Sequence, residues 1–91
     1  MHICKVSGHV WATKKESSLS GLKLMVVQED MGPRGAKLVA ADIVGAGIGE
    51  RVLVVSGSTA RKALGKDEVA VDAAIVGIID SVELEREKNG K

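Results

Sequence analysis

The chain has 91 residues, 45% of them hydrophobic and 27% charged, which is the balance of one small folded domain and not of a disordered segment. Its net charge of +1, with one Trp and no Phe or Tyr, argues against a protein that tracks phosphates and stacks bases. Cys4 is the only cysteine, so no intramolecular disulfide forms, no basic-then-apolar leader is visible, and no apolar run nears the ~20 residues of a membrane helix; the expectation is a cytosolic protein.

Residues 2–12 read as a first strand, with Cys4, Val6, Val10 and Ala12 on one parity and Lys5, Ser7 and His9 on the other. Gly8 interrupts it and marks a bulge or bend. A polar loop runs from Thr13 to Ser20 and ends at Gly21. Leu22 to Gln28 form a second strand, with Leu22, Leu24 and Val26 on one face. The only proline and two glycines make Glu29–Gly35 a turn, followed by a third strand over Ala36–Ile43. A fourth strand spans Arg51–Val55 and a fifth Ala73–Asp80, with a continuation toward Leu84. Between them, residues 58–64 read as a two-turn helix, with Ser58 capping its start and Gly65 taking the left-handed position after its end. The tail over 85–91 is charged and expected to fray.

Five strands and one short helix in this length predict an all-β fold, a small five-stranded barrel like the oligonucleotide/oligosaccharide-binding (OB) barrel. The domain is expected over residues 1–84. The fourth and fifth strands are apolar at both parities, in Val52–Val55 and in Ala73, Ala74, Ile75, Val76, Ile78 and Ile79. A lone antiparallel barrel wets one face of each strand, so these need cover on both. One short helix supplies little, which points to a neighbouring subunit.

The stretch Val44-Gly45-Ala46-Gly47-Ile48-Gly49-Glu50 invites comparison with phosphate-binding loops. The dinucleotide fingerprint needs its third glycine one place later, where Glu50 stands, and a helix where a strand follows. The loop therefore reads as a strand-to-strand turn that needs positive φ or close backbone approach. His2 and Cys4 share a strand face, but two ligands do not make a zinc site, and His9 points elsewhere unless Gly8 shifts the register. Ser56, Ser58, Asp72 and His9 contain the residue types of a hydrolase triad without its spacing. Arg61 with the carboxylates of Asp42, Glu50, Asp72 and Asp80 supplies ion pairs within or between subunits. No catalytic, cofactor or metal site is expected.

Several segments in order carry a family resemblance. They are 5–15 (KVSGHVWATKK), 19–24 (LSGLKL), 41–50 (ADIVGAGIGE), 57–61 (GSTAR) and 71–80 (VDAAIVGIID). Together they resemble the bacterial microcompartment vertex proteins, the EutN/CcmL family of ethanolamine-utilisation compartments and carboxysomes, over residues 1 to about 82. Trp11 departs from the small or β-branched residue expected there, and Thr59 from serine or alanine. The resemblance implies an OB-like barrel, a homopentamer, and a structural, non-enzymatic role. The pentamer would plug the vertices of a cytoplasmic shell tiled by hexameric shell proteins, with no nucleic acid or membrane partner. It places Gly45, Ala46, Gly47, Ile48, Gly49 and Glu50 at the five-fold axis, and Ser58, Arg61, Asp72 and Ile75 at the seam between subunits. The alternative is an OB-type module that binds nucleic acid or a small ligand, which calls for a basic, aromatic-bearing groove that this composition does not offer.

Overall fold

The computed structural model describes residues 1–13, 15–29, 35–65 and 70–82. Lys14, the interior of the Glu29–Gly35 turn, the expected continuation of the fifth strand at 83–84 and the charged tail lie outside the described residues.

Five strands close into a barrel in the order β1-β2-β3-β5-β4. They are β1 (His2–Val10), β2 (Lys23–Glu29), β3 (Lys37–Asp42), β4 (Arg51–Ser56) and β5 (Ala73–Ile78), with helix α1 (Gly57–Ala63) between the last two. All neighbours are antiparallel except β3 and β5, which meet in parallel through Ala41 with Ala74 and Asp42 with Ile75. A short 3-10 turn, Ser17–Leu19, interrupts the first long loop. There Glu16 accepts hydrogen bonds from the side chain and backbone of Ser18, which hold its carboxyl below the usual range. The Ser18 hydroxyl in turn accepts the Ala70 N–H and anchors the approach to β5.

Gly8 is the site of a bulge: the β1–β2 register shifts between Val6 and Gly8. The extra residue reverses the alternation. Cys4 and Val6 are buried in the core before it, and His9 stands opposite the core residue Met25 after it. His9 and Trp11 thus take the interior phase, and the parity read from the sequence, Val6 with Val10 and Ala12, holds only up to Gly8. β1 ends at Val10, one residue short of the end of its partner β2. Val10 pairs with Leu24, and β2 begins one residue earlier, at Lys23. In β2 the residues in the core cluster are Met25 and Val27, not the Leu24 and Val26 face. Four apolar residues in succession leave alternation nothing to decide there.

The core consists of Cys4, Val6, Met25, Val27, Ala40, Ala46, Val52, Val54, Ala73 and Ile75. These side chains are small, and the one aromatic residue, Trp11, is exposed. Helix α1 covers a second cluster, Val55, Ala60 and Ala74, with Leu64 and Val76 packed against it. The second apolar face of β4 and β5 is therefore partly covered from within the subunit. Leu53 and Val76 stay half-buried and Ile78 exposed.

The helix begins one residue earlier than expected. Ser56 holds the N-cap position without a side-chain hydrogen bond, and Ser58 lies inside the helix. The Gly57 N–H donates instead to the Asp72 carbonyl at 2.7 Å. The far end follows expectation: Gly65, at φ 79, closes it by donating to the Lys62 carbonyl. β5 ends at Ile78, short of the expected Asp80. Ile79 still donates to the Arg51 carbonyl, but Asp80 is in a bend beyond the ladder.

Candidate functional site: the glycine loop at the barrel end

The loop from Ile43 to Glu50 leaves the end of β3 and returns to start β4. Its first half is built around one carboxylate. The N–H groups of Val44 and Gly45 donate to Asp42 Oδ1 at 2.9 and 3.0 Å, and the Ala46 N–H donates to Oδ2 at 2.7 Å. Lys23 Nζ, on the neighbouring strand β2, lies 3.1 Å from Oδ2 and donates to the Ala46 carbonyl at 2.9 Å. Convergent backbone N–H groups form an anion-binding concavity of the kind glycine loops offer to phosphates. Here the protein's own carboxylate fills it.

The Asp42 side chain is fully buried, whereas Lys23 keeps part of its side chain in solvent. Burial pushes the Asp42 carboxyl up. The Val44 N–H, the Lys23 hydrogen bond, the Ala46 N–H and the Lys23 charge outweigh that, and hold it below its ordinary value. Asp42 thus finds its ion pair in Lys23, within the subunit, and not in Arg61.

The second half of the loop is tied to β1 and to itself. The Gly49 N–H donates to the Val6 carbonyl at 2.8 Å, and the Val6 N–H donates to the Glu50 carbonyl at 2.9 Å. The Gly47 N–H donates to Glu50 Oε1 at 2.6 Å. Gly45 and Gly49 have φ of 81° and 96°, where a side chain is strained. Gly47 does not, and a Cβ on it would meet only Glu50 Oε1 at an ordinary 3.6 Å. Ala46 turns inward, is 0% exposed, and belongs to the barrel core. Gly45, Ile48, Gly49 and Glu50 are exposed, and Gly47 is half-buried.

The expected seam residues separate into two groups. The Asp72 carbonyl accepts the N–H of Gly57, the residue just before Ser58, which brings Asp72 beside the start of α1; Ser58 and Asp72 are exposed and Arg61 is half-buried. Ile75 is 0% exposed inside its own barrel, so it has no surface to offer a neighbour, and the seam expectation for it is corrected. Two-sided apolarity in β5 identified a buried strand but could not say which residues the subunit's own core takes.

Elsewhere, His2 Nδ1 pairs with Glu29 Oε2 at 2.7 Å, and Cys4 is buried in the core. Among the described residues no three His, Cys, Asp or Glu side chains gather into a metal-binding group, and no helix is long and apolar enough to cross a membrane. Lys23 and Asp42 were not singled out as the loop's lock by spacing alone. The available signal was an Asp three residues before a glycine, the pattern by which an Asp side chain caps its own turn.

A closed five-stranded OB-like barrel, plugged at one end by a self-braced glycine loop, defines a small structural module. A family model described as "Ethanolamine utilisation protein EutN/carboxysome" matches residues 1–80, and the chain belongs to this EutN/CcmL family. It is 51% identical over 86 residues to the bacterial microcompartment shell vertex protein GrpN of Rhodospirillum rubrum, covering 91% of this chain and 97% of that protein. It is 46% identical to the carboxysome shell vertex protein CcmL of Synechocystis, covering 90% of this chain and 85% of that one. A solved structure described as the GrpN pentameric microcompartment shell protein from Rhodospirillum rubrum superimposes with a TM-score of 0.82 at 45% identity, covering 93% of this chain and 100% of that one.

Proposed function

We propose that this chain assembles as a homopentamer that closes the vertices of a bacterial microcompartment shell in the cytoplasm, as a structural protein and not an enzyme. The observation that carries this reading is the 51% identity, across nearly the whole of both chains, to a protein named as a shell vertex protein. The OB-like barrel supports it at the level of fold.

In the finer reading, the Gly45–Glu50 loop faces the five-fold axis, where glycines let five copies approach. Ser58, Arg61 and Asp72 lie at the seam between neighbours, and hexameric shell proteins surround the ring. An asymmetric interface repeated by a fixed rotation closes into a ring, so each copy presents two different surfaces. The exposed Ile48 and the exposed start of α1 fit such a division.

Light scattering is the primary test: the mass is expected near five times the 9.5 kDa of the chain. Co-expression with hexameric shell proteins is expected to yield closed shells that retain the chain. A monomer at micromolar concentration overturns the reading. Tight, salt-dependent binding to single-stranded nucleic acid would favour the OB-module alternative.

A further inference from the structure

We propose that the C-terminal segment of this chain, residues 83–91, lies across a row of cations on the outer face of its own barrel, with Glu83, Glu85 and Glu87 turned toward Arg51, Lys5 and Lys37. This contact lies within one subunit and does not depend on ring formation.

The strand registers build the row. Arg51 pairs with Lys5 across β4 and β1, Lys5 with Gln28 across β1 and β2, and Gln28 with Lys37 across β2 and β3. The four residues therefore stand side by side on neighbouring strands of the barrel. Their neighbours along each strand, Val52, Cys4, Val6, Val27 and Leu38, lie in the core or pack against it, so the row faces outward. Arg51, Lys5 and Lys37 are exposed, and Gln28 is half-buried. With strands about 4.8 Å apart, the row from Arg51 to Lys37 is about 14 Å long.

The row lacks negative charge. Lys5 and Arg51 are directly opposite each other, a placement that destabilises like charges. The carboxylates next to the row in sequence are engaged elsewhere: Glu29 with His2 at 2.7 Å, and Glu50 with the Gly47 N–H. Among the described residues neither Lys5 nor Lys37 has an ion pair.

The C-terminal segment is the occupant that charge and connectivity both favour. Ile78 pairs with Val52, and the Ile79 N–H donates to the Arg51 carbonyl at 2.8 Å, so the chain leaves β5 beside the first cation of the row. The described residues end at Val82, and Glu83 follows Ile79 by four positions, within about 13 Å of chain. The segment carries glutamates at alternate positions, 83, 85 and 87, with Leu84, Arg86 and Lys88 between and after them. In extended form alternate residues share a side about 6.7 Å apart, so Glu83 to Glu87 span about 13 Å, close to the length of the row. Arg86 and Lys88 then face away from the barrel. Tethering supplies the glutamates at a high effective concentration. The segment acts as a strap: it neutralises the row and keeps other acidic partners off it.

Zero-length carbodiimide cross-linking of the full chain, followed by peptide mass mapping, tests the contact. Glu83, Glu85 or Glu87 is expected to link to Lys5 or Lys37, with a yield that falls several-fold in high salt. Unlabelled and 15N-labelled chains refolded together identify the source of the strap. Links within one isotope are expected; links that join the two isotopes come from a neighbouring copy and overturn the inference. The absence of any link between these glutamates and the row overturns it as well. Trypsin supplies a second reading. Cleavage after Arg86 and Lys88 is expected to be several-fold slower in the native chain than in the double variant Lys5→Gln, Lys37→Gln, with unchanged circular dichroism. Equal rates overturn the inference and leave the vertex reading standing.

Discussion

The Ala46 N–H donates to Asp42 Oδ2 across 2.7 Å, and this bond draws Ala46 into the barrel core while the rest of its loop stays outside. The carboxylate also takes the N–H groups of Val44 and Gly45 and the charge of Lys23. Asp42→Asn is expected to destabilise the chain by about 1–3 kcal/mol, because one oxygen acceptor becomes an amide donor facing other donors. Breaking a fully buried pair costs about 3–5 kcal/mol, and the smaller figure holds because the partly exposed Lys23 returns to water. Urea denaturation checks this. An unchanged midpoint would show that the loop does not depend on its carboxylate.

Acid should act through the same group. Hydrogen bonds from the loop N–H groups and the Lys23 charge hold the folded-state Asp42 carboxyl below its ordinary value, so its contribution to stability is present in full above the ordinary carboxylate range. It is lost as pH falls further, through the lower folded-state value. The expected result is a stability difference between the native chain and Asp42→Asn that is constant above about pH 5 and shrinks below about pH 4. A difference that instead shrinks as pH rises from 5 to 8 would contradict the depressed value. Urea midpoints measured at intervals over pH 3–8 decide it.

Gly47 separates the needs of the subunit from those of the ring. Its φ is not in the left-handed region and a Cβ finds ordinary contact, so Gly47→Ala is expected to change monomer stability by no more than about 1 kcal/mol. Gly47→Leu is expected to leave the barrel folded and to impair ring closure, since five copies meet there in the proposed assembly. Light scattering beside circular dichroism makes the comparison. Pentamers that form unchanged and still seat in shells would remove the axis assignment.

Ile75 and Arg61 provide a second separation. Ile75→Ala opens a cavity in a core that already has few large side chains, and the expected cost is about 2–5 kcal/mol of fold stability. Arg61→Ala lies on the outer surface of α1 and is expected to cost the fold under about 1 kcal/mol while weakening association. Thermal melts at concentrations well below and above ring formation distinguish the two. If Arg61→Ala lowers the melting temperature equally at both, its role lies within the subunit.

Much of the fold was legible because local chemistry speaks for itself. The five β-branched-rich runs became strands within one to two residues of their expected ends, the largest differences being β1 and β5, each closing two residues short, at Val10 and Ile78. Gly8 announced the bulge and Gly65 the end of α1. The loop was recognised as a turn and not a nucleotide cradle, because no helix follows it. What was not legible was the partner of each side chain. Lys23 and Asp42 are 19 positions apart in sequence and meet only because β2 and β3 pair in that register.

The sequence by itself determined the elements, the barrel class and the family, since strand-forming runs, turn glycines and ordered motifs are local or linear properties. Only the tertiary structure decided which face of each two-sided strand is core. It buried Ile75 within its own subunit and gave Val55 and Ala74 to α1, and through one extra residue at Gly8 it moved His9 onto the core-facing side of β1, opposite Met25. The physical reason is that alternation carries no sign when both parities are apolar. Inside and outside are then set by barrel closure and register, which are long-range properties of the whole chain.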